Sequence, residues 1–407
     1  MKENQMQKNE WKECKLGDVV RINYGKGLPE QKRKPGNVPV FSSAGITGWH
    51  NIPMVNNKGI IIGRKGTIGT VYYSDKPFFC IDTAYYIEPD ETKYDIKYLF
   101  YLLNTIGLKE LNEDSAVPGL NRDTAYAQEI LLPPLPEQRA IAGVLSSLDD
   151  KIDLLHRQNK TLEEMAEALW RKMFVEEANP EWKRGKLGDE MNITMGQSPP
   201  GHTYNEEKQG IIFFQGRAEF DFRFPQTRLY CTEPKRFSKK GDTLVSVRAP
   251  VGDINMAYED CCIGRGLAAV RHKKNCTAYT FYRIRSLKNE FDAFEQQGTV
   301  FGSIGKDDFN NIDVVLSPEI AIQEFEYTAK PIDDKIFANS IQIRTLSHLR
   351  DTLLPKLMSG EVRVSEKSDQ SDKSDKSDRS DRSDRSDQSD KSDFSDQSDF
   401  SERRKND

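Results

Sequence analysis

Ile141, Leu145, Leu148, Ile152, Leu155, Asn159, Leu162, Ala166, Leu169 and Met173 recur at alternating spacings of four and three without a slip. This heptad seam limits the fold severely, because so narrow an apolar stripe buries itself against another helix and not against a broad core. At ~1.5 Å of rise per residue, the ~40 residues from Glu137 to Glu177 make a rod of about 60 Å. Pro133, Pro134 and Pro136 mark its start, Glu137 puts negative charge in the first turn, and Asn179-Pro180 mark its stop.

The partner helix is in the same chain. Asp149-Asp150-Lys151-Ile152 returns as Asp333-Asp334-Lys335-Ile336, an offset of 184 residues. At that offset the second seam reads Phe325, Ala329, Ile332, Ile336, Asn339, Ile343, Leu346, Arg350, Leu353 and Leu357. Antiparallel pairing about the two midpoints sets Ile141 against Leu357, Leu155 against Ile343, Ala166 against Ile332 and Met173 against Phe325. Asn159 then meets Asn339, the only Asn on each seam. A buried Asn layer lowers stability but fixes register. Pro331 and Pro355 each remove a helix hydrogen bond and are expected to bend the second rod, which makes a one-layer slip the competing register.

The repeat extends beyond the helices. Residues 11–18, WKECKLGD, match residues 182–189, WKRGKLGD. Each copy continues into a polar, glycine-containing loop, then into β-rich runs separated by Gly, Pro and Asn turns. Ile60–Val71 parallels Thr243–Ile254, with Lys65 opposite Arg248 and Gly69 opposite Gly252, and Cys80-Ile81 parallels Cys262-Ile263. Helical segments follow at 95–112 and 278–297. Loops at 116–123 and 299–308 then precede a strand that leads into the long helix. The expected organisation is a polar extension (1–9), a globular unit (10–135), a long helix (136–179), a second unit (180–318), a second helix (319–364) and a tail (365–407). The fold class is α+β: two globular domains of mixed α/β structure separated by two long helices packed as an antiparallel coiled coil, a pseudo-twofold internal repeat.

Charge and composition bound the function. The formal net charge is −5. Residues 365–407 hold 14 acids and 10 bases, so −4 belongs to the tail and −1 to the rest. Nucleic-acid binding must therefore rest on local patches. The tail is a Ser-Asp-centred triplet repeat nearly free of apolar groups, and is expected to be disordered. Mean hydropathy is −0.70 and no apolar run approaches ~18 residues, so no membrane span is expected. The polar first ten residues do not resemble a signal peptide, and six irregularly spaced cysteines fit a reducing cytoplasm.

Catalytic patterns are missing. There is no GxxxxGK[ST] loop, and Gly63–Gly69 reads as a tight β turn. The adjacent acids of Pro89–Lys93 do not reproduce a nuclease metal site. Cys261, Cys262, His272 and Cys276 lack zinc spacing, so no metal site is expected. The chain reads as a non-enzyme.

Two divergent units, each followed by a long helix carrying LDDKI or IDDKI, together with LPPLPEQRAIAGVLSSLDDKID and LLPKLMSGEV, resemble the specificity subunit of type I restriction–modification systems. The resemblance covers residues 10–364; Pro331 and the replacement of PEQ by Glu319-Ile-Ala-Ile-Gln323 depart from its pattern. It implies that each unit is a target-recognition domain reading one half of a bipartite asymmetric site on double-stranded DNA. The helices would act as spacer and docking platform for two modification (methyltransferase) and two restriction (motor–nuclease) subunits. Those partners would use S-adenosylmethionine, ATP and Mg2+, and this chain would bind no cofactor. A coiled-coil scaffold that reads no DNA is the alternative.

Phosphate contacts need cations and amides, and base reading needs Arg, Lys, Asn or Gln. On the loops of the first unit these are Lys26, Lys32, Arg33, Lys34, Arg64, Lys65, Asn121 and Arg122. On the second they are Gln197, Ser198, His202, Arg217, Arg223, Arg228 and Arg248. Gly25, Gly27 and Gly196 would either let backbone approach the duplex or simply form turns.

Overall fold

A computed structural model of the chain describes residues 11–111, 119–297 and 302–364. The polar extension 1–9, the tail 365–407 and parts of the loops 116–123 and 299–308 lie outside the described residues.

Each unit is closed by its own first and last strands. Lys12–Lys15 pairs antiparallel with Glu129–Leu132, and Arg184–Lys186 pairs antiparallel with Asp313–Val315. The shared WK…LGD stretch makes this closure. Leu16 and Leu187 are fully buried. The carboxylates of Asp18 and Asp189 accept from the backbone N–H groups of Lys15 (3.1 Å) and Lys186 (2.8 Å), capping the one-turn helices Leu16–Val19 and Leu187–Glu190. Gly17 and Gly188 leave room for the unit's final short helix, since a Cβ there would lie 2.9 Å from Tyr126 or Asn310.

Inside each closure sits a four-stranded antiparallel sheet of the same order. In the first unit it runs Asn23–Tyr24, Ala84–Ile87, Gly59–Gly63, Val71–Ser74; in the second, Met191–Met195, Leu267–His272, Thr243–Ser246, Ile254–Met256. A second sheet has three strands in the first unit and five in the other. Each contains one parallel pair: Val40-Phe41 with Phe79-Cys80, and Phe213-Phe214 with Cys262-Ile263. Cys80 therefore takes the place of Ile263, not Cys262. The identity of the two Cys-Ile pairs is thus one residue out of structural register.

The central helix runs Leu135–Arg171 and ends in a π-helical turn, Lys172–Glu176; the C-terminal helix runs Glu319–Met358. Asn339 Nδ2 donates to Asn159 Oδ1 at 2.9 Å, and Asn159 Nδ2 donates to Ser340 Oγ at 3.2 Å. Both asparagines are 1% exposed. Around this layer Ile141 and Leu145 share a core with Leu357, while Ala166 and Met173 share one with Phe325 and Ile332. The antiparallel register is the expected one, with no slip. Pro331 and Pro355 lie inside an unbroken helix on its exposed side, where water can serve the carbonyls they leave unbonded.

The seam widens where the units pack on it. Glu163 and Trp170 lie off the heptad positions and are nonetheless buried, and Gln138 extends the seam by one polar position at its start. Gln138 accepts from Asp95 N–H (2.9 Å) and donates to the Pro133 carbonyl (2.8 Å). Trp170 packs 5.4 Å from Tyr279 and 5.3 Å from Phe325. The helices are thus both a rod and one wall of each unit's core.

The Asn layer predicts a sign reversal. Asn159→Leu alone strands Asn339 and should cost about 1–3 kcal/mol in chemical denaturation. Asn159→Leu with Asn339→Leu should restore or exceed the original stability, because no buried amide is left unpaired.

Candidate nucleic-acid interface

In the first unit three loops converge at the end of the four-stranded sheet. The strand Asn23–Tyr24 hooks back through Gly25 N–H to the Ala84 carbonyl (3.1 Å) and Lys26 N–H to the Cys80 carbonyl (3.0 Å). Glycine is required at position 25, because a Cβ would lie 2.0 Å from the Ile81 oxygen. Arg64 and Lys65 follow the Gly59–Gly63 strand, and both donate backbone N–H groups to the Thr83 carbonyl. Lys65 forms a β-bridge with Gly119, and Leu120 N–H reaches the Arg64 carbonyl at 2.9 Å. That places Asn121 and Arg122 beside Arg64; Asn121 Oδ1 accepts from Asp123 N–H at 2.8 Å and caps the Arg122–Tyr126 helix.

At the centre is a residue that sequence reasoning missed. Tyr24 is 46% exposed. The guanidinium of Arg64 lies 5.0 Å from its ring centre and that of Arg122 lies 4.9 Å away. Tyr85 meets the same ring edge-on at 5.1 Å and donates its hydroxyl to the Leu120 carbonyl at 3.0 Å. Burial pushes the Tyr85 phenol up, so it remains a neutral donor. Arg64 is further fixed by a 3.2 Å bond to the Asp82 carbonyl. Among the described residues none of Lys26, Arg64, Lys65 and Arg122 forms an ion pair. Two oriented guanidiniums and two lysines without carboxylate partners suit phosphate oxygens and base edges. The aromatic within INYGKG was the available signal, since stacked aromatics accompany cations in nucleic-acid sites.

The second unit repeats the backbone and changes the side chains. Gly196 N–H bonds the Leu267 carbonyl (2.8 Å) and Gln197 N–H bonds the Ile263 carbonyl (3.0 Å), so Gln197 stands where Lys26 does. A Cβ on Gly196 would lie 2.1 Å from the Gly264 oxygen. These glycines serve close backbone packing, whereas Gly27 has open space around it. Arg248 bridges Ser303 as Lys65 bridges Gly119. Gly69 and Gly252 both hold positive φ in the turns that follow. Tyr24 is replaced by Met195 and Arg64 by the buried Val247, so the sandwich is absent here. Exposed Arg265 donates its backbone N–H to Ser198 Oγ at 3.3 Å. Lys306 opens the Lys306–Asn310 helix where Arg122 opens its counterpart. Neither cation is among the contacts expected from the loop sequences, although the 184-residue offset from Arg122 points to Lys306.

Other expected contacts lie elsewhere. Lys32 ends a short 3-10 turn, Arg33 is tied to the Thr47 carbonyl at 2.6 Å, and Lys34 N–H bonds His50 Nδ1 at 3.0 Å, so this segment packs on the Gly45–His50 strand. His202 is exposed on the Gly201–Thr203 turn. Arg217 pairs with Asp253 (2.8 Å) and Arg228 with Glu219 (3.2 Å).

Arg223 is a correction. It is 2% exposed and cannot reach a duplex. Its guanidinium pairs with Glu163 and Asp333 on the two long helices, both at 3.2 Å, donates to Tyr282 Oη at 3.0 Å, and lies 3.7 Å from the Phe281 ring centre. Sequence position on a polar loop gave no hint that the loop folds inward onto two buried acids. Burial pushes the Asp333 carboxyl up to about 6, with Arg223 pulling it the other way.

Among the described residues no group of three or more His, Cys, Asp or Glu side chains could hold a metal ion, and no helix is long and apolar enough to cross a membrane. Burial pushes the thiols of Cys80 and Cys261 up to about 12, which suits packing and not ligation.

A family model described as the type I restriction modification DNA specificity domain matches residues 8–164. Over 329 residues the chain is 31% identical to a putative type I restriction enzyme MjaX specificity subunit of Methanocaldococcus jannaschii, across 74% of this chain and 77% of that relative. This chain belongs to the type I restriction specificity subunits. DNA recognition in a restriction–modification system is accordingly its role. A second relative from the same organism, the MjaIX specificity subunit, is 26% identical across 75% of this chain and 78% of its own length. The crystal structure of a type I restriction–modification S subunit from M. genitalium shares the fold, with a TM-score of 0.64 at 17% identity, covering 86% of this chain and 96% of the other.

For this specificity subunit, Arg64→Ala with Arg122→Ala should lower duplex affinity and reduce the slope of log K against log salt by about 2, at ~0.9 per phosphate contact, with the melting temperature little changed. Arg223→Ala should do the reverse: it leaves Asp333 buried without a cation, while Glu163 keeps Arg285, and should cost about 3 kcal/mol of stability.

Asp333 also makes stability pH-dependent. Its folded value of about 6 lies above the ordinary 3.8, so the folded state holds the extra proton between those values. Stability should therefore fall as pH rises from about 4 to 6, by roughly 1–3 kcal/mol. Denaturant melts of Asp333→Asn across that range should lack this component.

Proposed function

We propose that each globular unit reads one half of a bipartite, asymmetric DNA target, and that the paired helices hold the two readers at a set separation. The observation that carries this reading is the repeated presentation frame with exchanged side chains. Tyr24, Lys26, Lys65 and Arg122 in one unit stand where Met195, Gln197, Arg248 and Lys306 stand in the other. Equal frames suit equal approaches to the duplex, and unequal side chains suit different base sequences. Antiparallel helices relate the frames by a pseudo-twofold axis, as a dimer relates two half-sites by a true one.

The same helices and the closed bases of the units would dock two modification and two restriction subunits. S-adenosylmethionine, ATP and Mg2+ would belong to those partners, with target adenines flipped out of the duplex by the modification subunits. This chain would itself remain non-catalytic.

Replacement of residues 10–133 with the equivalent domain of a relative, followed by mapping of methylated adenines in cells, tests the reading. One half of the methylated motif should change and the other should stay. Loss or alteration of both halves in a folded, assembled protein would show that the units do not read independently.

A further inference from the structure

The two units differ in one place where the repeat predicts sameness. In the second unit the strand Ile211–Phe214 is followed by a long loop that turns onto the helices before Leu229–Cys231 returns. Within it the Arg223 carbonyl accepts from Met256 N–H at 2.9 Å, and Asn255 Nδ2 donates to the Asp221 carbonyl at 2.8 Å. Phe224 packs 5.3 Å from Phe337, while Arg344 donates to the Phe224 and Pro225 carbonyls. Arg223 thereby fills the space between Phe281, Tyr282 and the acids Glu163 and Asp333.

In the first unit the same connection is a tight turn, with Ser42 pairing directly with Gly45. That turn does not reach the helix, and among the described residues a cavity of about 650 Å³ remains. Several of its wall residues are the counterparts of residues around Arg223, although the acid Glu163 has the uncharged Ser347 as its counterpart. Tyr72 and Tyr73 stand for Asn255 and Met256, by the same strand pairing. Phe100 and Tyr101 stand for Phe281 and Tyr282, with ring separations of 5.2 and 5.3 Å. Tyr101 donates to Asp149 at 2.5 Å as Tyr282 donates to Asp333 at 3.1 Å. Phe100 is half-buried where Phe281 is covered.

The charged side chains lining this cavity are Asp149, Asp150 and Asp153 with Lys97 and Arg350. Asp149 is paired with Arg350 from the other helix at 2.8 Å. Asp150 and Asp153 on the rim are exposed, and among the described residues neither forms an ion pair. Asp153 occupies the position of Phe337, the partner of Phe224, so a cation is favoured where the second unit seats an aromatic ring. Ile46, 55% exposed, completes an apolar lip.

We infer that this groove between the first unit and the central helix receives a polypeptide segment of a partner protein, one that presents an arginine or lysine beside an aromatic side chain as Phe222-Arg223-Phe224 does in the second unit. The incoming cation lies over Phe100 and pairs with Asp150 and Asp153, and the aromatic side chain packs on Ile46 and Tyr72. The identity of that partner as the modification subunit rests on the docking role proposed above. In the second groove the chain's own loop seats Arg223 and Phe224, and a smaller cavity of about 430 Å³ remains beside Phe224, Asp334 and Phe337. The two docking positions are therefore chemically unequal, because the place of the cation and the ring is taken in one and open in the other.

Two measurements on the full chain test this. In the first, a synthetic peptide of residues 220–226, Phe-Asp-Phe-Arg-Phe-Pro-Gln, is titrated against the protein. It should bind, an Arg→Ala version should bind about ten-fold more weakly or worse, and Asp150→Lys with Asp153→Lys should abolish binding without lowering the melting temperature. Equal binding of the two peptides, binding untouched by the charge reversal, or no binding overturns the groove. In the second, native mass spectrometry follows assembly with the modification subunit. Charge reversal should weaken one of the two docking events about ten-fold and spare the other. A wild-type chain that binds no modification subunit refutes the docking role and the partner's identity, and the peptide titration then decides the groove by itself. Equal assembly of wild type and variant overturns the inference while leaving the docking role intact.

Discussion

The antiparallel pairing of Leu135–Arg171 with Glu319–Met358 is the constraint on which everything else depends. Apolar heptad positions alone tolerate slippage by a layer, because one aliphatic pair is nearly as good as the next. The 2.9 Å amide–amide bond of Asn159 and Asn339 removes that tolerance, since any slip leaves two amides buried and unpaired. With register fixed, Asp149 and Asp333 stand where Tyr101 and Tyr282 can reach them. The orientation of each unit on its helix follows from that reach.

Each unit is tied to the helices at more than one point, and the ties are unequal. The first has Gln138 bound to Asp95, and Arg363 from beyond the C-terminal helix paired with Glu137 while lying 5.2 Å from the Trp11 ring. The second has the buried Arg223 cluster, with Arg285 also paired to Glu163, and the aromatic stack of Trp170, Phe174, Tyr279 and Phe325. Arg363 closes the chain on itself, so its last described segment supports its first strand. An ion cluster as buried as that of Arg223 contributes little net stability but makes one docking geometry strongly preferred, because any other exposes unpaired charge to an apolar surface.

That division of labour leaves the sheet ends free for recognition. The hooks at Gly25 and Gly196 use backbone bonds, so the side chains beside them carry no structural duty and can differ between units. The first frame carries Tyr24 with Arg64 and Arg122; the second carries Gln197 with Arg248, Arg265 and Lys306. A specificity subunit needs this separation of frame from reader, because new sequences must be read without new folds.

The sequence by itself determined the helices, their partner, their register and the twofold repeat. Each of these is written as a periodicity or an offset, and periodic burial is a local consequence of helix geometry. It also placed Lys26, Arg64, Lys65 and Arg122 on loops that prove to converge, because loops between paired strands end at the same edge of a sheet. Only the tertiary structure decided which cations face outward. Arg223 and Arg248 sit on similar polar loops, yet one is sealed beneath Phe281 and the other is exposed. Burial of a charge depends on acids brought from Glu163 and Asp333, which lie 60 and 110 residues away in sequence. Tyr24 became visible as a site residue for the same reason, since the two arginines that flank it come from separate loops. Contacts between distant segments are decided by packing and desolvation, which no local pattern records.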